Sequence, residues 1–176
     1  RTGLTETAAR AEGCDVETVV AVVDDKAHYY PGAGSFIVKL TADKATRKLL
    51  GVQVLGAGAV DKITDIGVTA ISLGATVDQL AVMDFAYAPP FSTAIHPFAH
   101  SVNILMNKLD GELETFTPAE FAAGAAEGYE IIDCAIEPSL PGKKYLNLTK
   151  VDGEVPGLGR EDKLLLVCAK GKRAYL

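Results

Sequence analysis

Two different hydrophobic rhythms run through this chain, and the change from one to the other falls at about Leu113 to Thr117. Before it, Ser35 to Leu40 alternates, with Phe36, Val38 and Leu40 on one side and Lys39 on the other, and Leu49 to Leu55 alternates again. Strict alternation marks strands with one wet face. The short polar turn Asp43-Lys44-Ala45-Thr46-Arg47 makes the pair an antiparallel hairpin. Val16 to Val23 is a further β-branched run, followed by the turn His28-Tyr29-Tyr30-Pro31-Gly32-Ala33-Gly34. Beyond the change, Tyr129 to Asp133 and Leu164 to Cys168 are short unbroken apolar runs, the pattern of parallel strands covered on both faces. The expectation is two parts, residues 1–113 and 114–176.

Helical signals complete each part. Val60, Ile63, Gly67, Ala70 and Ile71 share one helical face, and Gly74 supplies a stop. Thr76 caps a short helix, Pro89-Pro90 forces an irregular stretch, and Pro97 to Leu109 reads as a helix ended by Asp110-Gly111. The first part is therefore α+β, a small antiparallel sheet with helices packed on it. In the second, Thr117-Pro118-Ala119-Glu120 starts a helix expected to reach about Ala126. A loop-rich stretch with Pro138, Pro141-Gly142 and Pro156-Gly157 separates its two strands. This part reads as an incomplete α/β domain. With Arg1 rather than Met at the start and no helix signal after the last strand and loop, the chain reads as a piece of a longer protein.

Composition excludes several classes of function. A net charge of −6 disfavours nucleic acid and anionic membranes as partners. No apolar run approaches the roughly 20 residues a membrane helix needs, and no signal-peptide pattern opens the chain. Cys14, Cys134 and Cys168 have neither disulfide-framework nor zinc spacing, so a reducing cytoplasm is expected.

The sharpest chemical signal is Cys168-Ala169-Lys170-Gly171-Lys172-Arg173. An apolar strand delivers a thiol into a loop where Gly171 lets backbone N–H groups turn toward one centre. A helix starting near Ala174 would aim its positive end at the same point, and Lys170, Lys172 and Arg173 add cations. A thiolate or persulfide suits such a ring. A phosphate suits it less, because phosphatase loops of this design place five residues between cysteine and arginine, and here Ala169 to Lys172 make four. The alternative is a buried structural cysteine before a polar turn. The segment Leu55-Gly56-Ala57-Gly58-Ala59-Val60-Asp61 imitates a dinucleotide fingerprint, but Asp61 replaces the third glycine and the preceding hairpin is no βαβ unit. His96 and His100 stand at metal-binding spacing without a third ligand, and with His28 they read as structural.

Cys168-x-x-Gly171-x-Arg173, with the Ile131-Ile132-Asp133 strand and Pro141-Gly142, resembles a rhodanese-type sulfurtransferase domain. That family usually carries an arginine soon after the aspartate, where this chain has Cys134-Ala135-Ile136-Glu137. A second resemblance covers residues 1–113: Gly3-Leu4-Thr5-Glu6-x-x-Ala9-Arg10, Ala27-His28-Tyr29-Tyr30-Pro31-Gly32-Ala33, Lys48-Leu49-Leu50-Gly51-x-Gln53 and Ala86-Tyr87-Ala88-Pro89-Pro90-Phe91-Ser92, in that order. These resemble the C-terminal dimerisation domain of flavin-dependent pyridine nucleotide–disulfide oxidoreductases, in the coenzyme A-disulfide reductase and NADH oxidase branch. Glutathione-reductase relatives use a histidine of a His-Pro segment paired with a glutamate; here Ser101 takes the glutamate's place.

The resemblances imply a homodimer formed through residues 1–113 and an incomplete rhodanese-like domain at 114–176. They imply FAD and NAD(P)H bound by domains outside this chain, with a disulfide, persulfide or polysulfide reduced in the intact enzyme. Coenzyme A is the implied substrate or ligand. Cys168 would carry sulfur, with Arg173 and the loop Ala169, Lys170, Gly171 and Lys172 around it. Tyr87, Tyr29 and Tyr30 would reach substrate in the partner subunit's site. The isolated fragment is expected to be inactive as a reductase. The rivals are a non-catalytic dimerisation module with an inert remnant, and part of an oxygen-reducing NADH oxidase.

Overall fold

The computed structural model describes every residue except Glu154, Pro156 and Leu176, and of Tyr175 the backbone alone. The proline of the expected Pro156-Gly157 turn and the final leucine therefore lie outside the described residues. The chain divides into two compact units, Arg1–Thr115 and Phe116–Leu176.

In the first unit β1 (Thr2–Gly3), β2 (Val16–Asp24), β3 (Ser35–Asp43) and β4 (Leu49–Gly56) form an antiparallel sheet in the order β1-β4-β3-β2. The register sets Leu40 between Val19 and Val52. The alternating residues do what their pattern requires: Phe36, Val38 and Leu40 are buried, and so are Val19, Ala21 and Val23 beside them. Against this face lie α2 (Val60–Ser72), through Ile63, Gly67 and Ala70, α3 (Val77–Ala81), through Val77 and Leu80, and α4 (Pro97–Leu109), through Phe98, Val102 and Leu105. Each fully buried large side chain contributes about 1.5–3 kcal/mol of transfer free energy. A short α1 (Glu6–Ala11), capped by Thr5, reaches β3 through Lys39, whose Nζ lies 2.6 Å from Glu6.

The helix ends match their sequence signals. After α2 the Gly74 N–H bonds Ile71 C=O at 3.0 Å and Ala75 N–H bonds Ala70 C=O at 2.9 Å, a Schellman closure. Thr76 and Gln79 make a reciprocal capping box on α3. The polar turn after β3 puts Arg47 in the left-handed region at φ 56°, where its guanidinium meets Asp78 and Asp110, each at 2.7 Å. These pairs tie the turn to the start of α3 and the end of α4.

The second unit begins with α5 (Pro118–Ala122), capped by a Thr117–Glu120 box. It stops short of the expected Ala126, because Gly124 sits at φ 89° and turns the chain. A parallel sheet follows, in the order β6-β5-β7, built from β5 (Glu130–Asp133), β6 (Lys144–Tyr145) and β7 (Leu164–Val167). Its central strand buries Ile132 completely. The last helix, α6, spans Lys172–Tyr175, which corrects the reading that no helix follows the last strand and loop, and it starts two positions before Ala174.

Close backbone approach sets one strict requirement. A Cβ on Gly51 would lie 1.8 Å from the Leu4 carbonyl oxygen, whereas one on Gly34 would meet nothing within 4 Å. Gly51→Ala is expected to lower unfolding free energy by about 1–3 kcal/mol, and Gly34→Ala by no more than about a few tenths. Urea unfolding checks both; equal effects would mean that β1 is not held to β4 as described.

Candidate functional site

β5 and β7 run parallel, with Ile132 opposite Leu166 and Asp133 opposite Val167. Both therefore deliver their next residues to one edge of the sheet. In open parallel sheets that carboxyl edge is where ligands are bound.

From β7 the chain passes into Cys168, half-buried, then turns at Gly171, φ 76°, into α6. Partial burial works to raise the Cys168 thiol, but the backbone N–H groups of Ala174, Lys170, Arg173 and Gly171 hydrogen-bond the sulfur and outweigh it. The thiol is held below its ordinary value. The sequence sets loop N–H groups turned inward by Gly171, a helix end and three cations around this sulfur. The structure gives the larger part to the amides, so Lys170 and Arg173 act through their backbone and Ala174 joins them. Ala169 lies in the turn between β7 and α6, and Lys172 opens α6.

From β5 the chain passes through Asp133, which is buried. Its carboxylate accepts from Ser139 N–H at 2.5 Å, Leu140 N–H at 2.8 Å, Ala135 N–H at 3.0 Å and the Ser139 hydroxyl at 3.1 Å. The Ser139 amide is the largest cause holding this carboxyl below the usual range; burial opposes it, and the Ala135 and Leu140 amides and Ser139 hydroxyl reinforce it. Asp133 thus organises the loop that follows it. Tyr145 adds a hydroxyl bond to Ile136 C=O at 2.6 Å, fixing the same loop. Next to Asp133, Cys134 is fully buried, and its thiol is pushed up by burial and then by the charge on Cys168. The sequence pattern marked neither Asp133 as a loop anchor nor Cys134 as a neighbour of Cys168.

In the first unit the three tyrosines divide. Tyr29 lies in the β2–β3 turn, which Asp25 closes by accepting Gly34 N–H at 2.7 Å. Tyr87 lies in the irregular stretch between α3 and α4, where Ser92 N–H and Phe91 N–H both bond Ala88 C=O. Their phenols meet: Tyr87 is held above its ordinary value first by what burial it has, then by Tyr29, to which it hydrogen-bonds. Both rings remain largely exposed. Tyr30 instead closes the turn with its backbone, Tyr30 N–H to Ala27 C=O and Ala33 N–H to Tyr30 C=O. His28 packs edge-on against Tyr29.

His96 is a cap rather than a base. Its Nδ1 accepts Phe98 N–H at 3.2 Å at the start of α4, and its ring stacks on Phe85 at 4.7 Å. Burial, then the Lys62 charge, lowers it to about 4. No cluster of three metal-ligating side chains occurs among the described residues. The Leu55–Asp61 segment leaves an antiparallel strand, and Gly56 is required by its neighbour strand: a Cβ there would lie 2.8 Å from Phe36 and from Ser35 C=O. Close helix–sheet packing belongs to Gly67, where a Cβ would meet Val52 at 2.7 Å. The Leu55–Asp61 segment therefore lacks the parallel βαβ setting of a dinucleotide fingerprint. Nor is any described helix long and apolar enough to cross a membrane.

Comparison with known proteins bears on both units. Residues 1–99 match the family model of the pyridine nucleotide-disulphide oxidoreductase dimerisation domain. An NAD(P)H sulfur oxidoreductase (CoA-dependent) of Pyrococcus furiosus is 39% identical over 105 residues, covering 60% of this chain and 24% of the relative. A coenzyme A disulfide reductase of Staphylococcus epidermidis is 38% identical over 71 residues, 40% of this chain and 16% of the relative. Among solved structures, the NAD-dependent persulfide reductase from A. fulgidus aligns with TM-score 0.87 and 34% identity, over 99% of this chain and 32% of that one. The reduced CoADR-RHD of Bacillus anthracis aligns with TM-score 0.88 and 29% identity over the same shares. This chain thus spans a quarter or less of these curated relatives and about a third of these structures.

Two titrations test the site. Alkylation of Cys168 by iodoacetamide should show a midpoint below the ordinary cysteine value of about 8.5, with Cys134 unlabelled over the same range. A Cys168 midpoint at or above that value would mean that the loop amides do not stabilise the thiolate. For His96, the unfolded chain takes up a proton near pH 6.5 and the folded one only near about 4. Its contribution to stability is full above 6.5 and lost as pH falls toward 4. His96→Asn keeps an acceptor at the cap and should lose less stability across that window, by on the order of 3 kcal/mol at most. Parallel curves for variant and wild type in urea unfolding would refute this.

Proposed function

The chain belongs to the pyridine nucleotide-disulphide oxidoreductase family through its dimerisation domain at residues 1–99, and from that premise we propose that it is part of an NAD(P)H-dependent reductase of coenzyme A-linked disulfides, persulfides or polysulfides. Residues 1–113 form the homodimer interface. Residues 114–176 form a rhodanese-like domain that carries sulfur on Cys168. FAD and NAD(P)H are bound by segments other than these residues, and a reducing cytoplasm keeps the thiols free.

The amide ring around the Cys168 sulfur is the single observation that carries the sulfur-transfer reading. It favours an anion at that atom, and it stands at the carboxyl edge of a parallel sheet. With thiosulfate as donor, the Cys168 thiolate attacks the sulfane sulfur. The new S–S bond forms, the old one breaks, and its electron pair leaves with sulfite. The product persulfide is itself an anion, and the same N–H groups receive it. At the other unit, the Tyr29–Tyr87 phenol pair supplies hydrogen-bond donors for a thiolate of the partner subunit's substrate. The names of the two structures that align over 99% of the chain, one a persulfide reductase, support this assignment.

Intact-mass measurement tests it. After thiosulfate or polysulfide treatment the chain should gain the mass of sulfur at Cys168, and Cys168→Ser should gain none there. A folded wild-type chain that neither gains sulfur at Cys168 nor releases sulfite from thiosulfate would overturn the reading.

A further inference from the structure

Cys134 and Cys168 leave the sheet side by side. Asp133 and Val167 are the last pair in register, and Cys134 N–H donates to Val167 C=O at 2.7 Å, carrying the ladder one step past them. Neighbouring strands lie about 4.8 Å apart, inside the range of about 4.4–6.8 Å that a disulfide spans between Cα atoms. Both thiols are free, and a charge on Cys168 is felt at Cys134. Cys134 is wholly buried, its S–H directed to Ile132 C=O at 3.7 Å. Neither the anchoring of the 134–140 loop, which Asp133 performs, nor the amide ring uses its sulfur.

We propose that Cys134 is a resolving thiol, a second catalytic residue that expels the sulfur carried by Cys168 as sulfide and closes a Cys134–Cys168 disulfide. This rests on the persulfide reading of Cys168. The Cys134 sulfur attacks the Cys168 sulfur of the persulfide, and a Cys134–Cys168 bond forms. The bond between Cys168 and the sulfane sulfur breaks; its electron pair leaves with the sulfane sulfur, which takes the Cys134 proton and departs as hydrosulfide, HS⁻. The sulfane sulfur is reduced and the two cysteines are oxidised, so no outside oxidant enters. Two equivalents of a low-molecular-weight thiol then restore the dithiol and leave as their disulfide, the class of compound that the proposed reductase consumes. Attack from a neighbouring strand has the advantage of an intramolecular reaction, for which effective molarities reach about 10⁵–10⁸ M in well-oriented cases.

The test uses the whole 176-residue chain. It is treated with thiosulfate in the absence of other thiols, blocked with N-ethylmaleimide and digested without reductant. The expected products are a Cys134–Cys168 linked peptide and about one equivalent of sulfide per chain. Cys134→Ser should retain the Cys168 persulfide and release sulfide at least about tenfold more slowly; Cys134→Ala, compared by circular dichroism, guards against a folding defect in the serine variant. A persulfide equally long-lived in wild type and variants, or cross-linking through Cys14 instead, would overturn the inference and leave the sulfur-carrying role of Cys168 standing. Failure of any variant to acquire sulfur at Cys168 would overturn both.

Discussion

The parallel register of β5 against β7 is the constraint on which the chemistry of this chain depends. It makes two strands end together, so the residues that follow them meet at one edge. Each of those segments then wraps its backbone N–H groups around an anion: Asp133 collects Ala135, Ser139 and Leu140, and Cys168 collects Lys170, Gly171, Arg173 and Ala174. Buried backbone donors need acceptors, and a fixed anion satisfies several at once. A slip of one residue in the β5–β7 pairing would turn Cys168 to the face opposite Cys134 and separate the two thiols.

The first unit solves a different problem. Its antiparallel sheet covers one face with three helices, while a turn and an irregular stretch carry Tyr29 and Tyr87. Rigid elements hold both segments: β2 and β3 close the turn through Asp25, and α4 begins on a cap made by His96. A histidine held neutral by burial, accepting an amide and stacked on Phe85, has no proton to trade in the physiological range. The acid–base part that a His-Pro segment plays in glutathione-reductase relatives is closed to it in this chain.

Much of this was legible in the sequence wherever a local rule decides. Phe36, Val38 and Leu40 declared the buried face by alternation alone. Pro97 and Asp110-Gly111 bounded α4 because a first-turn proline and a C-terminal glycine act within a turn of the helix end. The strand carrying Cys168 to its loop was equally plain from Leu164 to Val167. What stayed hidden was non-local. The Tyr29–Tyr87 contact joins two loops that no periodicity relates. Cys134 stands beside Cys168 only because of strand register, and the anchoring by Asp133 depends on where Ser139 and Leu140 fold back. The α5 helix was overextended because Ala125 and Ala126 favour helix, while Gly124 had already turned the chain.

Arg47 shows how a surface turn can be chosen for something other than net stability. A non-glycine residue in the left-handed region costs roughly 1–2 kcal/mol, and ion pairs as exposed as those to Asp78 and Asp110 return about 0.2–1 kcal/mol each. The two nearly cancel, so replacement by glycine would change the folding free energy little. It would, however, remove the side-chain ion pairs that join the β3–β4 turn to the start of α3 and the end of α4. The backbone bond from Val77 N–H to Arg47 C=O and the shared core of α3 and α4 would survive that change, so the side chain's own share is the link from the turn to the end of α4.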